Sequence, residues 1–141
     1  MAAPIRLLGL REEALRLDEV YAALGDPGAG GSCVFVGAVR DEDGGRGVSR
    51  LEYVAHPTAE LRLRDVAEAV AAAYPVRAAV AVHRVGVLEI GDLAVITGIA
   101  SAHRDEAFLA CRMLIDDLKA TVPIWKHQFF ADGSEEWVGT P

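Results

Sequence analysis

Leu93-Ala-Val-Ile-Thr-Gly-Ile-Ala100 carries no charge and a single hydroxyl. Apolar residues fill both alternating sets of positions, the pattern of a central strand covered on both faces rather than one wetted on one side. The next segment is helical in its spacing. From about Arg104 to about Ala120, Phe108, Cys111, Leu114, Ile115 and Leu118 recur as an apolar stripe. Ser101 stands where a cap is expected, Asp105 and Glu106 suit the positive end of the helix dipole, and Pro123 stops the run. A buried strand feeding a helix with one apolar stripe implies a layered fold in which helices pack on a sheet.

Downstream, Ile124 to Phe130 is predicted as a strand, Asp132-Gly133 as a turn and Glu135 to Val138 as a short returning strand. Trp125, His127 and Phe129 share one face of the first of these, and Ile124 and Lys126 the other. If the aromatic face is core, Lys126 projects from a rigid support, as a reactive amine needs. Upstream, Val76 to His83 alternates as a strand, and Gly86 and Gly91 bracket a short turn region. Pro57-Thr58 opens a helix with Thr58 as N-cap. Its apolar positions are Leu63, Val66, Ala67, Val70 and Tyr74, Glu60 and Arg64 form an i,i+4 pair, and Tyr74-Pro75 ends it. Ser32 to Arg40 and Val48 to Ala55 are predicted strands, read as a hairpin with the glycine-rich stretch 41–47 as a long tip. Ile5 to Leu10 is a strand, and Asp18 caps a short helix through Leu24 before the break at 25–31. Two long helices, one short one and several strands in mixed order make an α+β class, helices on a largely antiparallel sheet.

The chain has 141 residues, the size of one domain spanning 1–141, and 52% are apolar, enough for a sizeable core. A formal net charge of -7 argues against a nucleic-acid partner, because phosphate-backbone affinity comes from surplus Lys and Arg. No apolar stretch is long enough to span a bilayer, so no membrane role is expected. Met1 to Arg6 does not read as a signal peptide, which makes the cytoplasm the default location.

Against this acidic background five positive residues stand at the ends of elements: Arg40, His103, Arg104, Lys119 and Lys126. Taken singly, each reads as an ordinary surface cation, and the helix dipole alone accounts for Lys119 near a C-terminus. The acidic balance does not exclude an anion site, which needs only a few cations in the right place. Neighbouring cations or desolvation would lower the Lys126 pKa toward a range where it exchanges protons. Helix length adds a constraint. Arg104 and Lys119 are fifteen positions apart (119 − 104), about 22 Å at ~1.5 Å per residue, so they cannot meet around one small ligand within one chain. Either they serve different sites or a second copy brings opposite helix ends together. Cys33 and Cys111 read as buried, inert thiols, so sulfur chemistry here needs sulfur brought from outside. His56, His83, His103 and His127 show no metal-ligand spacing, and His83 reads as structural. The 41–47 stretch lacks the Lys-Ser/Thr of a P-loop, though its glycines make it a candidate to close over a ligand.

Ordered blocks then match a known family. Phe35-Val-Gly-Ala-Val-Arg-Asp41, Leu51-Glu-Tyr53, Val82-His-Arg-Val-Gly86 with Leu88 and Gly91, Ser101-Ala-His-Arg104 with Ala107-Phe108, Leu118-Lys119 with Val122-Pro-Ile-Trp-Lys126, and Trp137-Val138 resemble the catalytic (large) subunit family of molybdopterin synthase, from about Leu17 to Val138. The resemblance implies an α/β hammerhead-type fold and a central homodimer, with a ubiquitin-like sulfur carrier at each end of a heterotetramer. It implies cyclic pyranopterin monophosphate as substrate and two sulfurs delivered from the carrier's C-terminal Gly-Gly thiocarboxylate, with no cofactor. Arg40, with His103 and Arg104 from the other subunit, would bind substrate and phosphate. Lys119 and Lys126 would serve binding, acid-base chemistry and charge stabilisation. His56, Ala59, Ile115 and Gln128 depart from the family's usual residues, Gln128 standing where an acidic one is common. Two other readings use the same cations: a non-catalytic scaffold for a ubiquitin-like partner, and a phosphoester-binding enzyme that needs no protein partner.

Overall fold

The computed structural model describes residues 4–139. Residues 1–3, which belong to the stretch tested for a leader, lie outside the described residues. In chain order the elements are β1 (Ile5–Arg11), α1 (Leu17–Ala23), β2 (Gly31–Ala38), β3 (Glu42–Asp43), β4 (Arg46–Ala55), α2 (Ala59–Ala73), β5 (Val76–Arg84), β6 (Gly86–Glu89), β7 (Leu93–Ser101), α3 (Arg104–Thr121), β8 (Ile124–Phe130) and β9 (Glu135–Val138).

The strands form two sheets. The first has the order β1-β5-β7-β2, with β1 and β5 parallel and the other pairs antiparallel. The second runs β3-β4-β8-β9, with β6 added against β4. The fold is therefore α+β, as expected from the sequence. Strand β7 behaves as its composition demands: every residue from Ala94 to Ser101 is buried. Val95 and Ile99 face the core shared with α2 and α3, while Ile96 and Ala100 face a second core closed by Val20 and Leu24 at α1. Gly98 lets Leu24 come down onto the strand; a Cβ there would stand 2.8 Å from Leu24 Cδ1. A third cluster of Val39, Leu51, Leu88 and Ala94 joins the two sheets.

The structure corrects several local expectations. β2 and β4 do not pair. β2 covers the free edge of β7, and the 41–47 stretch makes its own small hairpin, Glu42–Asp43 against Arg46–Gly47. Gly44 and Gly45 turn that hairpin at φ 60 and 81, a conformation only glycine adopts without strain. The segment between Gly86 and Gly91 is a strand, β6, rather than only a turn. In α3 the buried stripe is Ala107, Ala110, Cys111, Leu114 and Leu118, and Phe108 is 61% exposed. Helix caps also differ. Ser101 remains in β7, and His103 takes the N-cap position of α3. The Thr58 hydroxyl does not cap α2 either; instead the Thr58 backbone N–H donates to His56 Nδ1 at 3.1 Å. On α2 the ion pair formed is Arg62–Asp65, while Glu60 lies over Gly9.

Candidate active site

The turn from α3 into β8 builds one wall of the site. Leu118 is anchored in the core, which sets the azimuth of Lys119 in the last helical turn. Pro123 then reverses the chain, the Ile124 N–H donates to the Val122 carbonyl at 2.9 Å, and the Pro123 carbonyl accepts from the His56 N–H at 3.0 Å. Lys126 lies on β8, paired across the sheet with Tyr53 of β4 and Val138 of β9. Lys119 and Lys126, with Ala38 and Tyr53, form the wall shared by two adjoining cavities. One, of about 250 Å³, extends past His83, Leu118 and Ile124 to Gly139. The other, of about 170 Å³, extends past Asp43 and Gln128 to Arg40.

The Lys126 face of β8 is the better-buried one, with Gln128 2% and Phe130 4% exposed. The aromatic face is the outer one. There His127 stacks on Trp137 at 4.1 Å between ring centroids, and Arg50 lies 4.3 Å from the Phe129 ring centroid. This reverses the expected orientation of the strand: on the side of the sheet that Gln128 and Lys126 share with Leu51 of β4 and Leu88 of β6, those two leucines pack with Val39 and with Ala94 of β7. Lys126 is thus half-buried in a cavity wall. Desolvation pulls its pKa below the ordinary lysine value, and the charges of Lys119 and Arg40 act in the same direction. Asp43 and Glu136 act against them.

Arg40 lies two residues beyond β2 rather than at its end. The preceding Val39 is fixed by two backbone bonds, donating to the Asp92 carbonyl at 3.0 Å and accepting from Gly91 at 2.9 Å. The Arg40 side chain is 78% exposed and lies 3.7 Å from Asp43. His103 and Arg104 are at the opposite end of α3, both exposed, beside Gly31 at the start of β2. They line neither cavity. Of the five cations, the fold brings together Arg40, Lys119 and Lys126 and leaves His103 and Arg104 apart, as the helix length requires.

Three residues with little sequence signal join the site. Tyr53 lies edge-on to His83 at 4.8 Å. The His83 Nδ1–H donates to the Arg84 carbonyl at 2.6 Å, leaving Nε2 as the unprotonated nitrogen. Burial pushes its pKa down to about 4, so the ring is neutral at physiological pH. Strand alternation placed His83 correctly but not its exposure to a cavity. Asp43 reaches the site through the hairpin turn, which a reading of 41–47 as the long tip of a wider hairpin does not supply. Cys111 is buried, and burial raises its thiol pKa; Cys33, on the edge strand β2, is only half-buried, contrary to expectation.

The family model for MoaE protein matches residues 10–121. The chain belongs to the MoaE protein family. It is 47% identical over 132 residues to molybdopterin synthase catalytic subunit 1 of Mycobacterium tuberculosis, a match spanning 92% of this chain and 88% of that protein. It is 40% identical over 126 residues to the molybdopterin synthase catalytic subunit of a Nostoc species, covering 88% and 76%. Among solved structures, the crystal structure of molybdopterin synthase from Staphylococcus aureus superposes with a TM-score of 0.88 at 30% identity, covering 94% of this chain and 97% of that one. The match to the family includes β2, the hairpin, α2 and α3 as far as Thr121, and so takes in Arg40, His103, Arg104 and Lys119. No helix among the described residues is long and apolar enough to cross a membrane.

Proposed function

We propose that this member of the MoaE family is the catalytic subunit of a molybdopterin synthase. It transfers two sulfurs from the C-terminal thiocarboxylate of a ubiquitin-like carrier to cyclic pyranopterin monophosphate, forming the dithiolene of molybdopterin. The observation that carries this reading is the shared wall of Lys119 and Lys126 between two cavities, with Arg40 at the rim of one, in a chain of net charge -7. A cationic pocket on an acidic protein suits two anionic reactants, the cyclic phosphate and the thiocarboxylate. Two adjoining cavities offer room for both at one pair of amines. Lys126, with its pKa lowered by desolvation, is suited to exchange a proton during sulfur attack, and Lys119 to stabilise the charge that develops on carrier release. Arg40 binds substrate.

The site is completed, in this reading, by His103 and Arg104 of a second copy. The first sheet ends on β2, where Phe35 and Val36 are each 38% exposed, and on α3 the exposed Phe108 lies one turn beyond Arg104. An apolar edge beside the two stranded cations is the feature that a homodimer would cover. The functional unit is then a homodimer with a carrier at each end, acting in the cytoplasm.

The test combines the purified chain with cyclic pyranopterin monophosphate and thiocarboxylated carrier and assays the dithiolene product. Product that requires the carrier is expected. Carrier binding without product would make the chain a scaffold, and conversion of the pterin without carrier would make it a partner-independent enzyme.

A further inference from the structure

The cationic cavity already contains a carboxylate. Asp43 lines the same cavity as Arg40, Lys119, Lys126 and Gln128. Gln128 Nε2 donates to Asp43 Oδ2 at 2.7 Å, and Gln128 is 2% exposed on the rigid strand β8. Arg40 lies 3.7 Å from the other oxygen, Oδ1. The two contacts differ in kind. The amide bond is charge-assisted and anchored in a buried side chain, so it is short and hard to displace. The Arg40 pair is long and its guanidinium is 78% exposed, the class of ion pair that contributes little and is readily exchanged. The β3 hairpin, turned by Gly44-Gly45, delivers the carboxylate to this spot.

We propose that Asp43 is a specificity-determining residue of the site: a resident counter-anion, pinned by Gln128, from which an anionic ligand must take Arg40. This rests on the reading of the cavity as the substrate site. Asp43 stays in place when the ligand binds, and Arg40 changes partner. The retained carboxylate limits how much negative charge the cavity accepts. It therefore disfavours ordinary phosphates and polyanions, and leaves the site to a ligand held by further contacts. Charged groups face this carboxylate from each neighbouring element: Arg40 after β2, Arg46 on β4 and Lys126 on β8, with Lys119 on α3 and Glu136 on β9 acting on Lys126 in turn. The Gln128 hydrogen bond above all, and with it these cations, hold the Asp43 carboxyl below the usual carboxylate range, so it is ionised throughout the physiological range.

The test is titration of the whole chain with inorganic phosphate, measured by calorimetry at fixed ionic strength. Asp43→Asn is expected to tighten phosphate binding by roughly three- to tenfold, the size of one partly screened charge at contact distance. Gln128→Met, which keeps the side-chain volume but frees the carboxylate, is expected to move it the same way by less. In an Arg40→Gln background the gain from Asp43→Asn is expected to shrink, a non-additivity that a merely structural role would not produce. Phosphate binding that is unchanged or weaker in both single variants, with wild-type thermal unfolding, would overturn the proposal, as would full additivity with Arg40→Gln. If Asp43→Asn fails to fold, Gln128→Met decides by the same readout. Phosphate titration uses neither carrier nor pterin. A chain that binds phosphate as described yet makes no dithiolene would defeat the synthase reading and leave this one standing, and the converse result would do the reverse.

Discussion

Lys119 and Lys126 are seven positions apart in sequence (126 − 119), and one proline-stopped turn brings them to the same cavity wall. That proximity is local, which is why it could be suspected from the chain alone. Lys119→Ala is expected nearly to abolish dithiolene formation while carrier binding, monitored by gel filtration, stays intact; turnover near wild type would remove Lys119 from the mechanism. His83 makes a different prediction. Its folded pKa, about 4, lies below the ordinary value of about 6.5 for an exposed histidine. Between those two values the unfolded chain binds a proton that the folded chain does not, so stability falls as pH falls through that window and is fully present above it. The loss amounts to ~3 kcal/mol once the pH has dropped below about 4. Urea unfolding at pH 7 and pH 4.5 measures it. His83→Gln, which cannot titrate, should show a clearly smaller difference between the two conditions; an equal difference would mean that the ring is not buried neutral.

At the scale of elements, α3 is the part that the sequence described best and also where it misassigned a side chain. The helix, its bounds to within a residue or so and its core positions Cys111, Leu114 and Leu118 come from helical spacing. Phe108 belongs to the same apolar pattern by hydrophobicity but is exposed, because the buried stripe is centred on Ala107, Ala110, Cys111, Leu114 and Leu118, and at 3.6 residues per turn position 108 lies to one side of it. Leu114→Ala should therefore cost ~2–5 kcal/mol by denaturant unfolding, as for a fully buried leucine. Phe108→Ser should cost under about 0.5 kcal/mol within one chain, while weakening self-association measured by sedimentation; a large loss of stability at protein concentrations where the chain is monomeric would return Phe108 to the core. The hairpin at 41–47 marks the opposite case. Its residues read as the long glycine-rich tip of a hairpin between the flanking strands, and only the Gly44-Gly45 turn, in register against β4, reveals that Asp43 is held at the cavity.

At the scale of the molecule, α3 holds the two groups of cations apart, and the proposed homodimer resolves that separation. Mixing inactive variants tests it. Lys119→Ala and Arg104→Ala chains, each defective alone, should recover about a quarter of wild-type activity when refolded together in equal amounts, because half of random dimers carry one intact shared site. No recovery, with mixed dimers shown to form, would place each complete site within one chain. The sequence by itself determined the α+β class, the doubly covered strand β7, the two long helices and the five cations, because hydrophobic periodicity and chain-stop residues are local signals. It determined as well that Arg104 and Lys119 cannot meet in one chain, since helical rise is fixed by the backbone. Only the tertiary structure decided that β2 pairs with β7 rather than β4, that β8 turns Lys126 inward and Trp125, His127 and Phe129 outward, and that Asp43, Tyr53 and His83 join the cavity. Those outcomes depend on which sheet offers a free edge and which face meets the buried core, and such long-range competitions leave no mark on the spacing of residues along the chain.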